Sequence, residues 1–324
     1  MRLIVTGAFG FIGSHFVEAA ERQGHKIHII DCRNYAGRSA NLPGHEAPRI
    51  DICDRLMVTQ AFETFRPDAV VHLAAESHVA RSIECRDEFL RTNVMGTYTL
   101  LEAALAYWRD GGQPAGFRFI HVSTDEVYGS LRAAESPWTE ASPYAPNNPY
   151  AASKAASDHM VRAYGQTFGL PAIVTHSSNN YGPRQHPEKL IPTLIGQYLR
   201  GEAMTLHGSG LNVRDWLHVE DHCLGLLAAL HRGTPGETYN FGGLCERTNL
   251  DIARLVHNIM GRSGEPPNIV MVPDRAGNDA RYSSCVQKAS AALGWWPGAN
   301  INQRLGDTVR WYAENPDYEN DYGR

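Results

Sequence analysis

The sequence predicts an α/β fold, a doubly wound parallel sheet joined to a smaller mixed α/β substrate-binding lobe. Apolar, β-rich runs alternate with amphipathic stretches of helical length through the first half. A glycine-rich turn separates the first strand from the first helix. After about Ser178 the rhythm breaks into shorter elements with Pro- and Gly-rich loops. Repeated strand–helix units with apolar strands mean a parallel sheet covered on both faces, and ligands then bind beyond the carboxyl ends of its strands.

Leu3 to Gly7 reads as the first strand and Phe11 to Gln23 as the first helix. Further strands are expected at Lys26 to Asp31, Asp68 to Ala75, Phe117 to Thr124 and Pro171 to Ser177. Helices are expected at Arg55 to Thr64, Asp87 to Tyr107 and Pro149 to Phe168. Residues 1–177 are thus expected to form the sheet domain and 178–324 mainly the substrate lobe. One strand near 237–243, "ETYNFGG", should return to the main sheet. Loops such as "GSGLNVRDW" and "GRSGEPPN" mark the lobe.

Thirty basic against 35 acidic residues leave a net charge of −5, with no Lys/Arg run to suggest a nucleic-acid surface. No apolar segment approaches bilayer-spanning length, and the chain opens directly on a strand, so a cytoplasmic protein is expected. The six cysteines are scattered without a CxxC spacing, as for reduced structural thiols. His218 and His222 have a metal-compatible i, i+4 spacing. No third ligand is evident beside them and the flanking acids suit a helix start, so no metal site is assigned.

"VTGAFGFIG" places Gly7, Gly10 and Gly13 in a Rossmann-like turn, with Phe11 and Ile12 between the last two. Such a turn lets backbone approach a pyrophosphate while the helix N-terminus supplies N–H donors. Asp31, ending the second strand, can take both ribose hydroxyls of NAD and would repel the 2′-phosphate of NADP. Arg33 close by keeps NADP as the alternative. "DICD" should follow the third strand region and bring Asp51 and Ile52 to the adenine. Ala74 and Ala75 of "HLAAES" would let the cofactor lie close.

"YAASK" puts Tyr150 and Lys154 on one helix face, where an ammonium beside a phenol should lower the tyrosine pKa. "STDEVYG", Ser123 to Gly129, packs a hydroxyl and two adjacent carboxylates into a buried strand end, which is costly unless something uses them.

Together these elements resemble the extended short-chain dehydrogenase/reductase superfamily. Nearly the whole chain is similar to the dTDP-glucose 4,6-dehydratase family, through "HLAAESHVARSI", "TNVMGTYTLLEA", "STDEVYG", "PYAPNNPYAASKAASDHMVRAY", "SNNYGPRQHPEKLIP" and "VRDWLHVEDH". The resemblance implies NAD-dependent oxidation at C4 of a nucleotide-linked hexose, then loss of water across C5 and C6. Tyr150 would be the C4 base, assisted by Thr124 and tuned by Lys154. Glu126 would take the C5 proton and Asp125, protonated, would donate to the leaving C6 hydroxyl. Two neighbouring carboxyls in a closed site tend to hold one proton between them, which fits one acid and one base.

The resemblance also implies a substrate site of Glu76, Ser77, Asn179, Asn180, Lys189, Leu190, His207, Arg214, Arg275 and Tyr282, with Arg214 suited to a diphosphate. Ala80, Thr205, His207 and Asn278 depart from the family pattern near the sugar and base contacts, leaving the nucleotide and hexose open. A UDP-sugar or amino sugar, a 4-epimerase reaction and a non-catalytic sugar-nucleotide-binding relative stand as alternatives. A homodimer packed through Glu88 to Tyr107 and Pro149 to Phe168 is implied as well.

Overall fold

The computed structural model describes residues 1–261, 265–298 and 300–318. Within the loop read at Gly261 to Asn268, residues 262–264 lie outside the described residues, as do the last six positions of the lobe. The chain runs β1 (Arg2–Thr6), α1 (Phe11–Arg22), β2 (Lys26–Ile30), α2 (Arg55–Phe65), β3 (Ala69–His72), α3 (Val79–Glu84) and α4 (Arg86–Phe89). A π-helical segment, Leu90–Gly96, leads into α5 (Thr97–Asp110), followed by β4 (Arg118–Thr124), α6 (Pro149–Phe168) and β5 (Ala172–Ser177). Then come β6 (Asn179–Tyr181), α7 (Leu190–Leu199), β7 (Met204–His207), β8 (Val213–His218), α8 (Val219–Arg232) and β9 (Thr238–Phe241). The chain finishes with β10 (Glu246–Thr248), α9 (Asn249–Ile259), β11 (Ile269–Val272), α10 (Gln287–Leu293) and α11 (Ile301–Glu314).

A parallel six-stranded sheet, ordered β2-β1-β3-β4-β5-β9, forms the centre. Side chains alternate across it as strand geometry demands. Leu3 and Val5 enter a core with Phe16, Val17, Leu226 and Leu230 of α1 and α8. Ile4 enters the opposite core with Val58, Phe62, Leu100 and Val161 of α2, α5 and α6. Covering both faces is what makes these strands read as continuous apolar runs. A third core, including Ile191, Leu194, Trp216, Ile252 and Leu305, organises the lobe around a sheet ordered β10-β8-β6 and the β11-β7 pair. Beyond Ser178 the chain contributes to both parts, since α8 packs on α1 and β9 pairs with β5.

Two local expectations are corrected. No strand precedes "DICD": Arg49 makes a single bridge to Asp31, with the Ile50 N–H donating to the Asp31 carbonyl at 3.0 Å. Pro48 has no N–H to extend a ladder there. The helix expected at Asp87 to Tyr107 is interrupted by its π-helical stretch. Buried Asn93 sits in that stretch, accepting from Glu76 N (2.9 Å) and donating to Glu76 O (3.0 Å) and Ser153 Oγ (2.8 Å). Widened turns of this kind recur at functional sites.

Candidate active site

Along the carboxyl ends of β1, β3, β4 and β5 runs a cleft of about 590 Å³, walled on the far side by Asn179, Asn180 and the segment from Gln185 to Lys189. At one end Gly7 takes φ +70°, and a Cβ there would sit 2.7 Å from Ala74 Cα. A Cβ on Gly13 would lie 2.0 Å from the Gly7 carbonyl oxygen. Only glycine lets β1, the loop and α1 close this tightly, so the helix N-terminus faces the cleft beside Gly10, Phe11 and Ile12. Asp31 accepts from Phe9 N (2.8 Å) and Arg33 N (2.6 Å), which fixes its carboxylate at the cleft wall. The Arg33 guanidinium turns away to the Ala47 carbonyl at 2.7 Å, which removes the feature that had favoured a 2′-phosphate. Asp51, Ile52, Ala74 and Ala75 also line the cleft. Asp51 accepts from Cys53 N (2.8 Å) and Arg91 Nη2 (2.6 Å). This cradle fits a dinucleotide with a free 2′-hydroxyl.

The proton-handling residues meet further along. Thr124 ends β4, Asp125 and Glu126 form the tight turn after it, and Tyr150 and Lys154 face the same cleft from α6. That helix is fixed at its start by Asn148, whose Oδ1 accepts from Ala151 N at 2.8 Å, and by Pro149 at its first position. The cap also reaches the chemistry, because Asn148 Nδ2 donates to Glu126 Oε2 at 3.2 Å.

The two acids differ in surroundings. Burial, then the adjacent Glu126 and Asp215, push Asp125 well above the usual carboxylate range, and its Oδ2 has no hydrogen-bond partner among the described residues. Burial also raises Glu126, but the Asn148 hydrogen bond, Arg214 and Lys189 oppose the rise. The neighbours of Asp125 add to the rise that burial causes, while those of Glu126 counter it, so the two acids sit in unlike environments.

Tyr150 corrects the sequence argument. Burial and the charges of Glu126 and Asp125 push its phenol up, and the Thr124 hydroxyl opposes this. Instead the Lys154 ammonium donates to the Val122 carbonyl at 2.9 Å. The helical spacing puts both on one face but does not make them a pair.

Of the expected substrate residues, Glu76, Ser77, Asn179, Asn180 and Lys189 line the cleft. Glu76 accepts from Asn34 Nδ2 at 2.6 Å, and Lys189 Nζ donates to the Ser77 carbonyl at 3.0 Å. Leu190, His207, Arg214, Arg275 and Tyr282 lie outside its lining. His207 is exposed and bonded to the Pro273 carbonyl. Arg275 is exposed on the loop after β11. Arg214 stacks 4.2 Å from the Tyr282 ring centroid and donates to Asn278 Oδ1 at 2.9 Å. Both still act on the acids, Arg214 on Asp125 and Glu126, and Tyr282 with Glu126. Thr205 is bonded to Gln197 through its N–H (3.0 Å) and hydroxyl (2.9 Å).

Residues not singled out in the sequence also line the cleft. Arg81 lies 3.8 Å from the Tyr35 ring centroid, and the Tyr35 hydroxyl donates to Glu188 at 3.3 Å. Three segments distant in sequence meet there, and no local pattern marks them. Of the histidine pair, His222 Nδ1 is 3.0 Å from Asn180 Oδ1 while His218 caps α8. No group of three candidate metal ligands occurs among the described residues. No described helix is long and apolar enough to cross a membrane.

Comparison with known proteins agrees with this geometry. The family model described as GDP-mannose 4,6 dehydratase matches residues 4–308. A dTDP-glucose 4,6-dehydratase of Haemophilus influenzae is 45% identical, covering 97% of this chain and 98% of the relative. The crystal structure of DesIV, a dTDP-glucose 4,6-dehydratase of Streptomyces venezuelae with NAD bound, superposes with a TM-score of 0.90 at 43% identity, covering 99% of this chain and 100% of that one. A Thermotoga maritima UDP-glucose 4-epimerase with UDP-glucose shares the fold at TM-score 0.89 and 30% identity, covering 98% and 100%. With a loop closed by Gly7 and Gly13, an acid pair at the end of β4 and full-length similarity of this order, the chain belongs to the dTDP-glucose 4,6-dehydratase family of the extended short-chain dehydrogenase/reductase superfamily.

Proposed function

We propose that the protein is an NAD-dependent hydro-lyase that converts dTDP-glucose to dTDP-4-keto-6-deoxyglucose and water. The observation that carries this reading is the pair Asp125 and Glu126, held in unlike environments in one cleft with Tyr150. Gly7, Gly10 and Gly13 with the start of α1 would hold the pyrophosphate, Asp31 the ribose, and Asp51 and Ile52 the adenine. NAD, when bound, supplies the acceptor for the C4 hydride and the donor that returns it to C6.

The chain's own residues handle the protons. Tyr150 Oη takes the C4 hydroxyl proton as a phenolate, a state that burial and the two acids oppose and that the positive charge of bound NAD would favour, with Thr124 beside it. The resulting ketone makes C5 an α-carbon, whose proton Glu126 removes. Asp125 gives its proton to the C6 hydroxyl, which leaves as water. Glu126 then returns its proton to C5. The proton left on Tyr150 equals the one lost by Asp125, so passing it on restores the site. General acid–base groups of this kind contribute about 10²–10⁴-fold each.

A 4-epimerase has no use for an acid pair, which argues against that reading, and a non-catalytic relative has no use for either the pair or Tyr150. The same chemistry on a UDP-sugar is the second reading, left open by the departures from the family pattern at Ala80, Thr205, His207 and Asn278. The test is to incubate the purified protein, without added NAD, with dTDP-glucose, UDP-glucose or UDP-N-acetylglucosamine and look for loss of one water by mass spectrometry. Loss from dTDP-glucose alone is expected. Loss from a UDP-sugar alone replaces the substrate, and loss from none refutes the reaction. We also infer a cytoplasmic homodimer, supported by Leu90 and Met95, 55% and 52% exposed on the π-helical segment. A monomer by light scattering would remove that inference.

A further inference from the structure

The N-cap of α6 does more than start a helix. Asn148 is 7% exposed and extended, with Pro149 fixing the first helical position after it. Its carbonyl accepts from Ala152 N at 3.0 Å and its Oδ1 from Ala151 N at 2.8 Å. A backbone N–H can only donate, so the amide atom facing Ala151 is oxygen. The other end, turned to Glu126 Oε2 at 3.2 Å, is then the NH₂ donor. Ser, Asp and Asn cap a helix about equally well. Of these, Asn alone carries an acceptor and a donor on one short planar group, and here both are used. An Asp in its place would cap α6 but set a third carboxylate beside Asp125 and Glu126.

The surroundings of Glu126 leave that donor a specific task. Its own N–H donates to Thr124 Oγ1 at 3.2 Å, which fixes the turn. Asp125 precedes it there, and Asp279 acts on it as a like charge from the loop after β11. The oxygens of Asp279 are taken by Asn147 Nδ2 (2.6 Å) and Tyr282 OH (2.6 Å). Burial and the charge of Glu126 push up the phenols of Tyr150, on α6, and Tyr282. The nearby cations are Arg214 of β8 and Lys189 ahead of α7. Arg214 turns to Asn278 Oδ1 (2.9 Å) and Lys189 to the Ser77 carbonyl (3.0 Å). Among the described residues Asn148 is therefore the side chain that bonds the Glu126 carboxylate. Burial raises Glu126, and the Asn148 bond is the largest effect opposing it, ahead of both cations.

We propose that Asn148 is a positioning residue of this site: with its oxygen committed to the start of α6, its amide N–H holds Oε2 of Glu126, fixing that side chain as a carboxylate with Oε1 left for the C5 proton. A hydrogen bond to an ionised oxygen is roughly twice as strong as one to a neutral oxygen, so the contact favours the base form. Asn148 also starts the helix that carries Tyr150, so one residue sets the C4 base and the C5 base in a common frame. The proposal rests on the functional reading above for its catalytic consequence, but its first test needs no turnover.

Asn148→Ser keeps a cap for α6, but its side chain is too short to span both partners. Asn148→Asp keeps cap and shape and turns a like charge on Glu126. In protein labelled with ¹³Cδ-glutamate, the Glu126 line is assigned by Glu126→Gln and followed against pH. Glu126 is expected to be ionised at pH 7 in the wild type. It should titrate about one pH unit higher in Asn148→Ser, a tenfold change in proton affinity, and higher again in Asn148→Asp. A wild-type Glu126 already neutral at pH 7, or a line unmoved in both variants, overturns the proposal. The first of these outcomes is readable even if neither variant folds. The second experiment mixes each protein rapidly with dTDP-glucose and follows the reduced cofactor. Its formation reads the step assigned to Tyr150, and its decay reads the steps that begin with Glu126. Decay requires the carboxylate, so its low-pH limb should move up by about one pH unit in Asn148→Ser, with KM within about twofold. A uniform slowing of both phases with the limb unmoved means packing alone and overturns the proposal. Absence of reduced cofactor in the wild type would refute the assigned reaction instead, while the Glu126 line still decides the bond to Asn148.

Discussion

Replacing Asp125 by asparagine should make the protein more stable and nearly inactive at once. Asp125 is 2% exposed, its Oδ2 has no hydrogen-bond partner among the described residues, and burial with Glu126 beside it raises its pKa well above the ordinary value. Below an unfolded-state pKa of about 3.9 the carboxyl is protonated whether folded or not, and it costs nothing. As pH rises, the unfolded chain releases that proton while the folded chain keeps it, so wild-type stability falls until pH passes the folded pKa. Asparagine matches the neutral carboxyl in shape and cannot ionise, so the variant escapes this loss. Each unit of raised pKa is worth about 1.4 kcal/mol. A gain on the ordinary scale of single substitutions, about 1 kcal/mol, is therefore expected at neutral pH, or roughly 2–4 °C in Tm. The gain should shrink towards about pH 4. Meanwhile the C6 hydroxyl loses its acid, and water loss should fall about 10²–10⁴-fold, a barrier increase of roughly 3–5 kcal/mol. Thermal unfolding across that pH range and mass-spectrometric water loss read the two effects separately. A variant less stable than wild type by the same margin at every pH would mean that Asp125 is ionised. Turnover within about threefold of wild type would mean that it is not the acid.

The neighbouring groups should fail in different ways. Glu126→Gln leaves C4 oxidation possible but stops C5 deprotonation, so reduced cofactor should build up on mixing with dTDP-glucose, with water loss down about 10²–10⁴-fold; unchanged turnover would assign C5 to another base. Tyr150→Phe should prevent cofactor reduction altogether, and normal reduction in a rapid-mixing absorbance trace would end its role as the C4 base. Gly13→Ala places a Cβ 2.0 Å from the Gly7 carbonyl oxygen, where only backbone can yield. It should purify without NAD and lose about 1–3 kcal/mol of stability, and a full complement of NAD released on denaturation would contradict the assigned cradle.

Much of this was legible because it is local. An apolar run bounded by turn residues names a strand, and Gly7 to Gly13 name a turn that no side chain permits. Thr124, Asp125, Glu126, Tyr150 and Lys154 are visible as a strand end and a helical spacing, and they do share one cleft. Spacing did not reveal what each side chain bonds. Lys154 turns to the Val122 carbonyl, and the phenol of Tyr150 answers to acids on another segment. Asn148 reads as a helix cap and nothing more until Glu126 is seen against it. The contact between Tyr35, Arg81 and Glu188 joins positions up to 153 residues apart, and the π-helical turn at Asn93 is set by Glu76 and Ser153 on other elements. Such features are properties of tertiary packing, which overrides local propensity.

The interleaving of α8 and β9 with the sheet bears on any attempt to retarget the enzyme. A chimera cut once near Ser178, with everything downstream taken from a relative, would replace the helix that packs on α1 and the strand that completes the sheet beside β5. The foreign Val219–Phe241 region would then have to fit a core containing Phe16, Val17 and Ile173 that it did not evolve with. A transplant of the smaller lobe has to be made in two pieces, before Val219 and after Phe241, with the native segment left between them.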